Sequence, residues 1–206
     1  MMISCVGQKG GGSKSATART LAVGFTDAGW KTHLADIDEK QQTSFKWCKR
    51  REDAGLSTID CALYRRVDTA VKVQDQFHLV IIDGRPAAES TSLDVAMESD
   101  LVIVSTGTTI DDLEPSLELA RELVKKGIAL EKIVFSVAKS PSDAEGVKAQ
   151  ETIRAWGFRV LNTVIPFKAG YGSALDAGRS LFETPFKSLN ATAKGMVEEI
   201  HDIINS

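Results

Sequence analysis

The apolar opening Met1-Met2-Ile3-Ser4-Cys5-Val6 runs into Gln8-Lys9-Gly10-Gly11-Gly12-Ser13-Lys14-Ser15, and that into the helix-compatible run Ala16 to Ala28. A strand, a run of glycines, Lys-Ser and a helix, in that order, leave little choice of fold. Glycines let a backbone approach a polyphosphate closely, and successive N–H groups then point at it. The helix N-terminus adds partial positive charge and Lys14 a full one. The Ser15 hydroxyl can ligate Mg²⁺. The pattern predicts a phosphate-binding loop, with Gly10, Gly11, Gly12, Ser13, Lys14, Ser15 and Ala16 against a nucleotide.

Apolar runs alternate with helical stretches along the rest of the chain. Strands are predicted at 2–6, 32–37, 58–63, 78–83, 100–105, 132–138 and 160–165. Helices are predicted near 15–28, 41–54, 66–74, 91–97, 111–126, 143–156, 172–180 and 186–204. Strands such as Leu79-Val80-Ile81-Ile82 and Leu101-Val102-Ile103-Val104 are continuously apolar, as a parallel strand covered on both faces requires. Such alternation with short connections implies right-handed crossovers and an α/β fold: a doubly wound, mainly parallel sheet with helices on both faces, the P-loop NTPase class. No repeat or composition break appears, so one domain is expected over 1–206. Ligand loops should cluster at the C-terminal ends of the strands.

Carboxylates fall where that edge is expected. The second strand ends in Asp36 and Asp38, whose i, i+2 spacing puts both on one side. Such a pair could position Mg²⁺ through water or orient an attacking water. The buried strand 78–82 delivers Asp83 to the same edge, the Walker B arrangement that holds Mg²⁺ or its waters. Gly84 offers a peptide N–H to the γ-phosphate, and 84–90 is expected to be a switch segment.

The loop departs from the general pattern G-x-x-x-x-G-K-[ST]: Gln8 and Ser13 replace its glycines, and a second lysine, Lys9, stands inside it. A loop of the form K-G-G-x-G-K-[ST] resembles the deviant Walker A motif of the ParA/MinD family of dimeric ATPases. The segment Asp36 to Gln41 resembles that family's D-x-D-P-Q motif, with Glu39 for the proline and Lys40 inserted. Ser99 to Asp112 and the late Gly178-Arg179-Ser180-Leu181-Phe182-Glu183 resemble two further family segments, so the likeness runs through essentially the whole chain. It implies ATP and Mg²⁺ as ligands, with Ser15, Asp38 and Asp83 as metal positions. Lys9, Lys14 and Asp38 would be catalytic. Lys9 would reach the partner subunit's nucleotide, Lys14 the bound phosphates, and Asp38 the hydrolytic water. Lys139 and Pro166 stand where the family frames the adenine.

The resemblance further implies a slow ATPase that dimerises with ATP, binds DNA without sequence preference as the dimer, and is released when a ParB-like or other adaptor stimulates hydrolysis. The expected setting is plasmid or chromosome partition in the cytoplasm, on the nucleoid when ATP is bound. Positioning of a protein cargo, such as an organelle or receptor cluster, is an alternative use, and an ATP-dependent metabolic ligase another. The net charge of −3 argues against a constitutively basic DNA binder, leaving local patches. Basic residues gather at Lys46, Lys49, Arg50 and Arg51, at Arg121, Lys125 and Lys126, and at Lys148, Arg154, Arg159, Lys168, Arg179, Lys187 and Lys194. A membrane role is disfavoured, because Glu198, Glu199 and Asp202 make the last helix acidic. An iron–sulfur reductase is excluded, because no cysteine follows Cys61. Cys5, Cys48 and Cys61 lack metal-type spacing and read as free thiols.

Overall fold

A computed structural model describes residues 1–7, 13–84 and 91–206, with backbone alone at 91 and 92. Among the described residues eight strands form one sheet: β1 (Met2–Val6), β2 (Thr32–Asp36), β3 (Asp60–Leu63), β4 (Leu79–Asp83), β5 (Leu101–Thr106), β6 (Ile133–Ser140), β7 (Arg159–Val160) and β8 (Ile165–Pro166). The order is β3-β2-β4-β1-β5-β6-β7, with β8 also paired to β6, and every pairing is parallel. The helices are α1 (Ser13–Asp27), α2 (Thr43–Asp53), α3 (Val67–Val71), α4 (Thr91–Glu98), α5 (Ile110–Lys125), α6 (Asp143–Ala155), α7 (Ala169–Asp176) and α8 (Lys187–Ile204).

Strand periodicity sorts the apolar residues onto two faces. Ile3, Leu34, Leu79, Ile81 and Ile103 pack with α1, α2 and α8 through Leu21, Phe25, Trp47 and Met196. Their neighbours point the other way: Val102, Val104 and Phe135 meet α5 and α6, while Met2, Ala35, Val80 and Ile82 meet Val67 and Val95. Residues of β1, β2 and β4 are all buried, and each Val, Leu or Ile so buried contributes about 1.5–3 kcal/mol. The connection leaving β1 passes over β4 to β2, and that leaving β4 passes over β1 to β5. Their divergence opens a crevice at the C-terminal ends of β1 and β4.

Three expected elements differ. The helix expected near 66–74 spans only Val67–Val71, with a separate 3-10 turn at Gln74–Gln76. The segment 160–165 forms two short strands rather than one. Glu199 of α8 explains the break: its carboxylate accepts the N–H groups of Asn162 and Thr163 at 2.6 Å and the Thr163 hydroxyl at 2.5 Å. Those peptide groups are thereby drawn out of the sheet. Glu199→Ala is expected to cost about 2 kcal/mol, the scale of hydrogen bonds to a charged acceptor, read as a lower urea midpoint. The helix expected at 172–180 instead spans Ala169–Asp176. Gly178, at φ +74°, ends it by turning the chain so that the Arg179 N–H reaches the Ala174 carbonyl at 2.9 Å.

Candidate nucleotide site

Register places the chemistry at the crevice. Asp83 lies opposite Cys5 on one side and Asp36 on the other. It shares its strand face with Leu79 and Ile81, so it points toward α1 and α2. The first turn of α1 brings Lys14 and Ser15 there, and the first turn of α2 brings Thr43 and Ser44.

Ser15 Oγ donates to Asp83 Oδ1 at 3.0 Å, and Ser44 Oγ donates to Asp83 Oδ2 at 2.6 Å. Ser15 Oγ also lies 3.2 Å from Thr43 Oγ1. Arg19, one turn below Ser15, donates its Nε–H to Ser44 Oγ at 3.0 Å and lies 5.7 Å from the Trp47 ring centroid. Burial pushes the Asp83 carboxyl up, with Asp36 adding to the shift, while Ser44, Arg19 and Ser15 oppose it. Burial pushes the Lys14 ammonium down, opposed by the charges of Asp83 and Asp38. This buried carboxylate would gain from a further cation.

The donor set tests the expected metal. One carboxylate and neighbouring hydroxyls are hard oxygen donors, matching Mg²⁺, which otherwise takes water and phosphate oxygens. Among the described residues no group of three or more His, Cys, Asp or Glu could hold a metal. The residues present thus fit a magnesium ion carried in with a nucleotide better than one caged by protein.

Asp36 has a different occupation from that expected. It is fully buried, and its Oδ2 accepts the N–H groups of Ser44 and Phe45 at 2.9 and 3.0 Å. Oδ1 accepts the Asp38 N–H at 2.9 Å. Gln42, at the N-cap with φ 53°, makes no side-chain cap, so Asp36 satisfies the start of α2 instead. Asp38 Oδ1 accepts from Lys40 N–H and Gln41 N–H, both at 3.1 Å. No hydrogen bond among the described residues joins Asp38 to Ser15 or Asp83; its charge reaches Lys14. The Gly84 N–H expected at a phosphate donates to the Cys5 carbonyl at 3.1 Å and continues the sheet.

Beside the start of α1 lies a cavity of about 330 Å³, lined by Ser13, Ala16 and Thr17 and, across from them, by Lys139, Pro166 and Tyr171. Lys139 and Pro166 therefore share a cavity with the first turn of α1 although far apart in sequence. Lys9, Gly10, Gly11 and Gly12 lie outside the described residues, as do 85–90 of the expected switch. Sequence reasoning missed Thr43, Ser44 and Arg19. The signals were a Thr-Ser pair opening a helix and an arginine four residues after Ser15.

A doubly wound parallel sheet, Lys-Ser opening the helix after its central strand, and a buried aspartate on the neighbouring strand together define a P-loop nucleotide-binding protein. Residues 1–125 match the family model described as ATPase MipZ, more than half of the chain, and the protein belongs to that family of ParA/MinD-type ATPases. No curated protein matches. Among solved structures, the septum site-determining protein MinD from Pyrococcus horikoshii, complexed with Mg-ADP, is 16% identical, with 98% of this chain and 96% of that one covered and a TM-score of 0.80. An aspartate-to-alanine variant of Cyanothece McdA in complex with ATP is 17% identical over 97% of this chain and 96% of that one, with a TM-score of 0.74. A plasmid partition protein from Borrelia burgdorferi is 17% identical over 98% and 97%, with a TM-score of 0.69.

Proposed function

We propose that this ATPase is a dimerisation switch for partition or cargo positioning, using ATP and Mg²⁺, binding DNA non-specifically as the ATP dimer and released by an adaptor that stimulates hydrolysis. The observation that carries the reading is the Ser15–Asp83–Ser44 cluster, a buried carboxylate between two helix starts, in a chain whose motif from Gln8 to Ser15 holds both Lys9 and Lys14.

In this reading, ATP lies along the start of α1, with its phosphates on Gly10 to Ser15 and its base in the cavity of Ser13, Ala16, Lys139 and Pro166. Lys14 neutralises phosphate charge in a buried setting, where an ammonium acts strongly. Ser15 and Asp83 would hold Mg²⁺, which would supply neutralising charge to the bound phosphates. Asp38, its carboxylate oriented by two peptide N–H groups, stands to direct water. Lys9 of each subunit enters the other's site and ties dimerisation to ATP. Little covalent chemistry is asked of the protein, so unstimulated turnover should be on the order of 10⁻⁴ to 10⁻² s⁻¹.

Exposed basic residues on α6 and near α8, among them Lys148, Arg154, Lys168 and Lys187, support phosphate contacts by the dimer. Arg51 leaves that group, being 1% exposed. Among the described residues no helix is long and apolar enough to cross a membrane.

The test is a gel-shift on non-specific DNA with ATP or ADP, titrated with salt. Retardation with ATP alone, weakening steeply with salt, is expected; equal behaviour with both nucleotides would remove the DNA switch. Lys9→Ala should abolish ATP-dependent dimerisation in sedimentation while leaving monomer nucleotide binding within about twofold. A variant that still dimerises with ATP would end the role given to Lys9.

A further inference from the structure

Of the eight phenylalanines only Phe167 and Phe186 are exposed, at 68% and 54%. Each is followed by an exposed lysine, Lys168 and Lys187. Each Phe-Lys pair also opens a helix, with Lys168 at the N-cap of α7 and Phe186 at that of α8. The two helix starts meet. The Phe186 ring lies against Gly170 in the first turn of α7, so close that a Cβ there would fall 3.0 Å from Phe186 Cδ2. Tyr171, the next residue, donates its hydroxyl to the Leu189 carbonyl at 2.9 Å and ties α7 to α8.

The backbone that carries both rings is fixed. Asn190 Oδ1 accepts the Thr184 N–H at 2.9 Å and the Thr184 hydroxyl at 2.7 Å, while Asn190 Nδ2 donates to the Thr184 carbonyl at 2.9 Å. The Phe186 N–H donates to Thr184 Oγ1 at 3.1 Å. The Phe167 N–H donates to the Ser140 carbonyl at 2.7 Å. Two phenyls kept in water by a rigid backbone are a preorganised contact surface.

Charge selects what that surface meets. Neither lysine joins an ion pair among the described residues. Between Thr163 and Lys194 the only carboxylates are Asp176 and Glu183. Asp176 stands at the far end of α7, and Glu183 is engaged by Arg51. The patch is therefore aromatic and cationic.

We propose that this patch binds single-stranded nucleic acid, with unpaired bases stacked on Phe167 and Phe186 and the adjoining phosphates against Lys168 and Lys187. A duplex keeps its base faces stacked inside, so the phenyls would meet none of them. A second copy docking by the same patch would set like charges together. An anionic bilayer is a broad plane and would repel a chain of net charge −3, whereas a single strand touches the patch alone. The patch lies within one subunit and uses no residue of the Asp83 cluster, so the proposal stands apart from the ATP-driven switch.

Phe167 and Lys168 also border the cavity beside the start of α1, so the experiment uses the nucleotide-free full chain. Fluorescence anisotropy follows its binding to three labelled probes of about 16 nucleotides: an oligothymidylate, the same strand with abasic sugars, and a duplex. Thymidylate should bind about a hundredfold tighter than the abasic strand, about tenfold for each ring, and tighter than the duplex. Phe167→Ala and Phe186→Ala should each lose about tenfold for thymidylate and leave the duplex unchanged, whereas Phe167→Tyr and Phe186→Tyr should keep full binding. Lys168→Gln and Lys187→Gln should each lower the slope of log affinity against log salt by about 0.7. Equal affinity for the thymidylate and abasic strands, or alanine variants that bind as the parent does, would overturn the stacking sites. Absence of strand binding would overturn the whole proposal, and sedimentation with vesicles of phosphatidylglycerol and phosphatidylcholine would then assign the patch to lipid. Failure of the ATP-dependent gel-shift on duplex would instead overturn the dimerisation switch and leave the strand result standing.

Discussion

Asp83→Asn is expected to abolish magnesium-dependent ATP turnover while leaving the nucleotide-free protein no less stable than its parent. Asp83 is 2% exposed, and burial pushes its carboxyl up, so its ionised form is held at a cost to the fold. An asparagine keeps the shape, and its amide can still bond the Ser15 and Ser44 hydroxyls. What it lacks is the negative charge that a divalent cation would meet. Losing a preorganised charge of this kind lowers turnover by roughly 10²-fold or more. Phosphate release and a thermal melt, measured on the same sample, separate the two effects. Undiminished release would remove Asp83 from the chemistry. A melting temperature well below the parent's would mean that the carboxylate chiefly supports structure.

Arg51→Ala is expected to cost about 3–5 kcal/mol of stability, the scale for one partner removed from a buried ion pair. All five guanidinium N–H donors are engaged. Nε donates to the Ser57 carbonyl at 2.7 Å, Nη1 to the Gly178 carbonyl at 3.1 Å and Glu183 Oε2 at 2.8 Å, and Nη2 to Ser57 Oγ at 2.8 Å and Glu183 Oε1 at 3.0 Å. Trp47 lies alongside, 5.6 Å from ring centroid to guanidinium carbon. Gly178 permits this approach: a Cβ there would fall 2.5 Å from the Arg51 backbone nitrogen.

Glu183 carries the pH dependence of this network. Burial pushes its carboxyl up, but hydrogen bonds from Arg51 and Ser180 outweigh that and hold it below the usual range. With the folded value depressed, its stabilisation is present above the unfolded value, near 4.5, and lost as pH falls through the folded one. Glu183→Gln should therefore be less stable than the parent at neutral pH, the gap closing in acid. Urea midpoints across that range decide it; a gap independent of pH would mean that the carboxylate charge is not what Arg51 requires.

The late segment Gly178 to Glu183 was legible in sequence only as a family resemblance. Its physical meaning is this network, which ties the C-terminal end of α2 to the turn after α7. Asp36 shows the opposite limit. Its spacing from Asp38 reads as a catalytic pair, yet its oxygens are occupied by the backbone at the start of α2. Sequence shows that a carboxylate reaches the strand edge, but not which donors arrive there from a helix eight residues on. The break between β7 and β8 was hidden for the same reason, since Glu199 acts from more than thirty residues away.

Strand periodicity, helix starts and the Lys-Ser loop are local properties. Each depends on residues a few positions apart, so the linear chain alone was enough to specify a doubly wound P-loop protein with Ser15 and Asp83 at the C-terminal edge of its sheet. Which side chains meet Asp83 is a matter of crossover geometry. Only when α1 and α2 pack on one face of the sheet do Ser15, Ser44 and Arg19 converge, and burial then alters the charge chemistry of the group they surround.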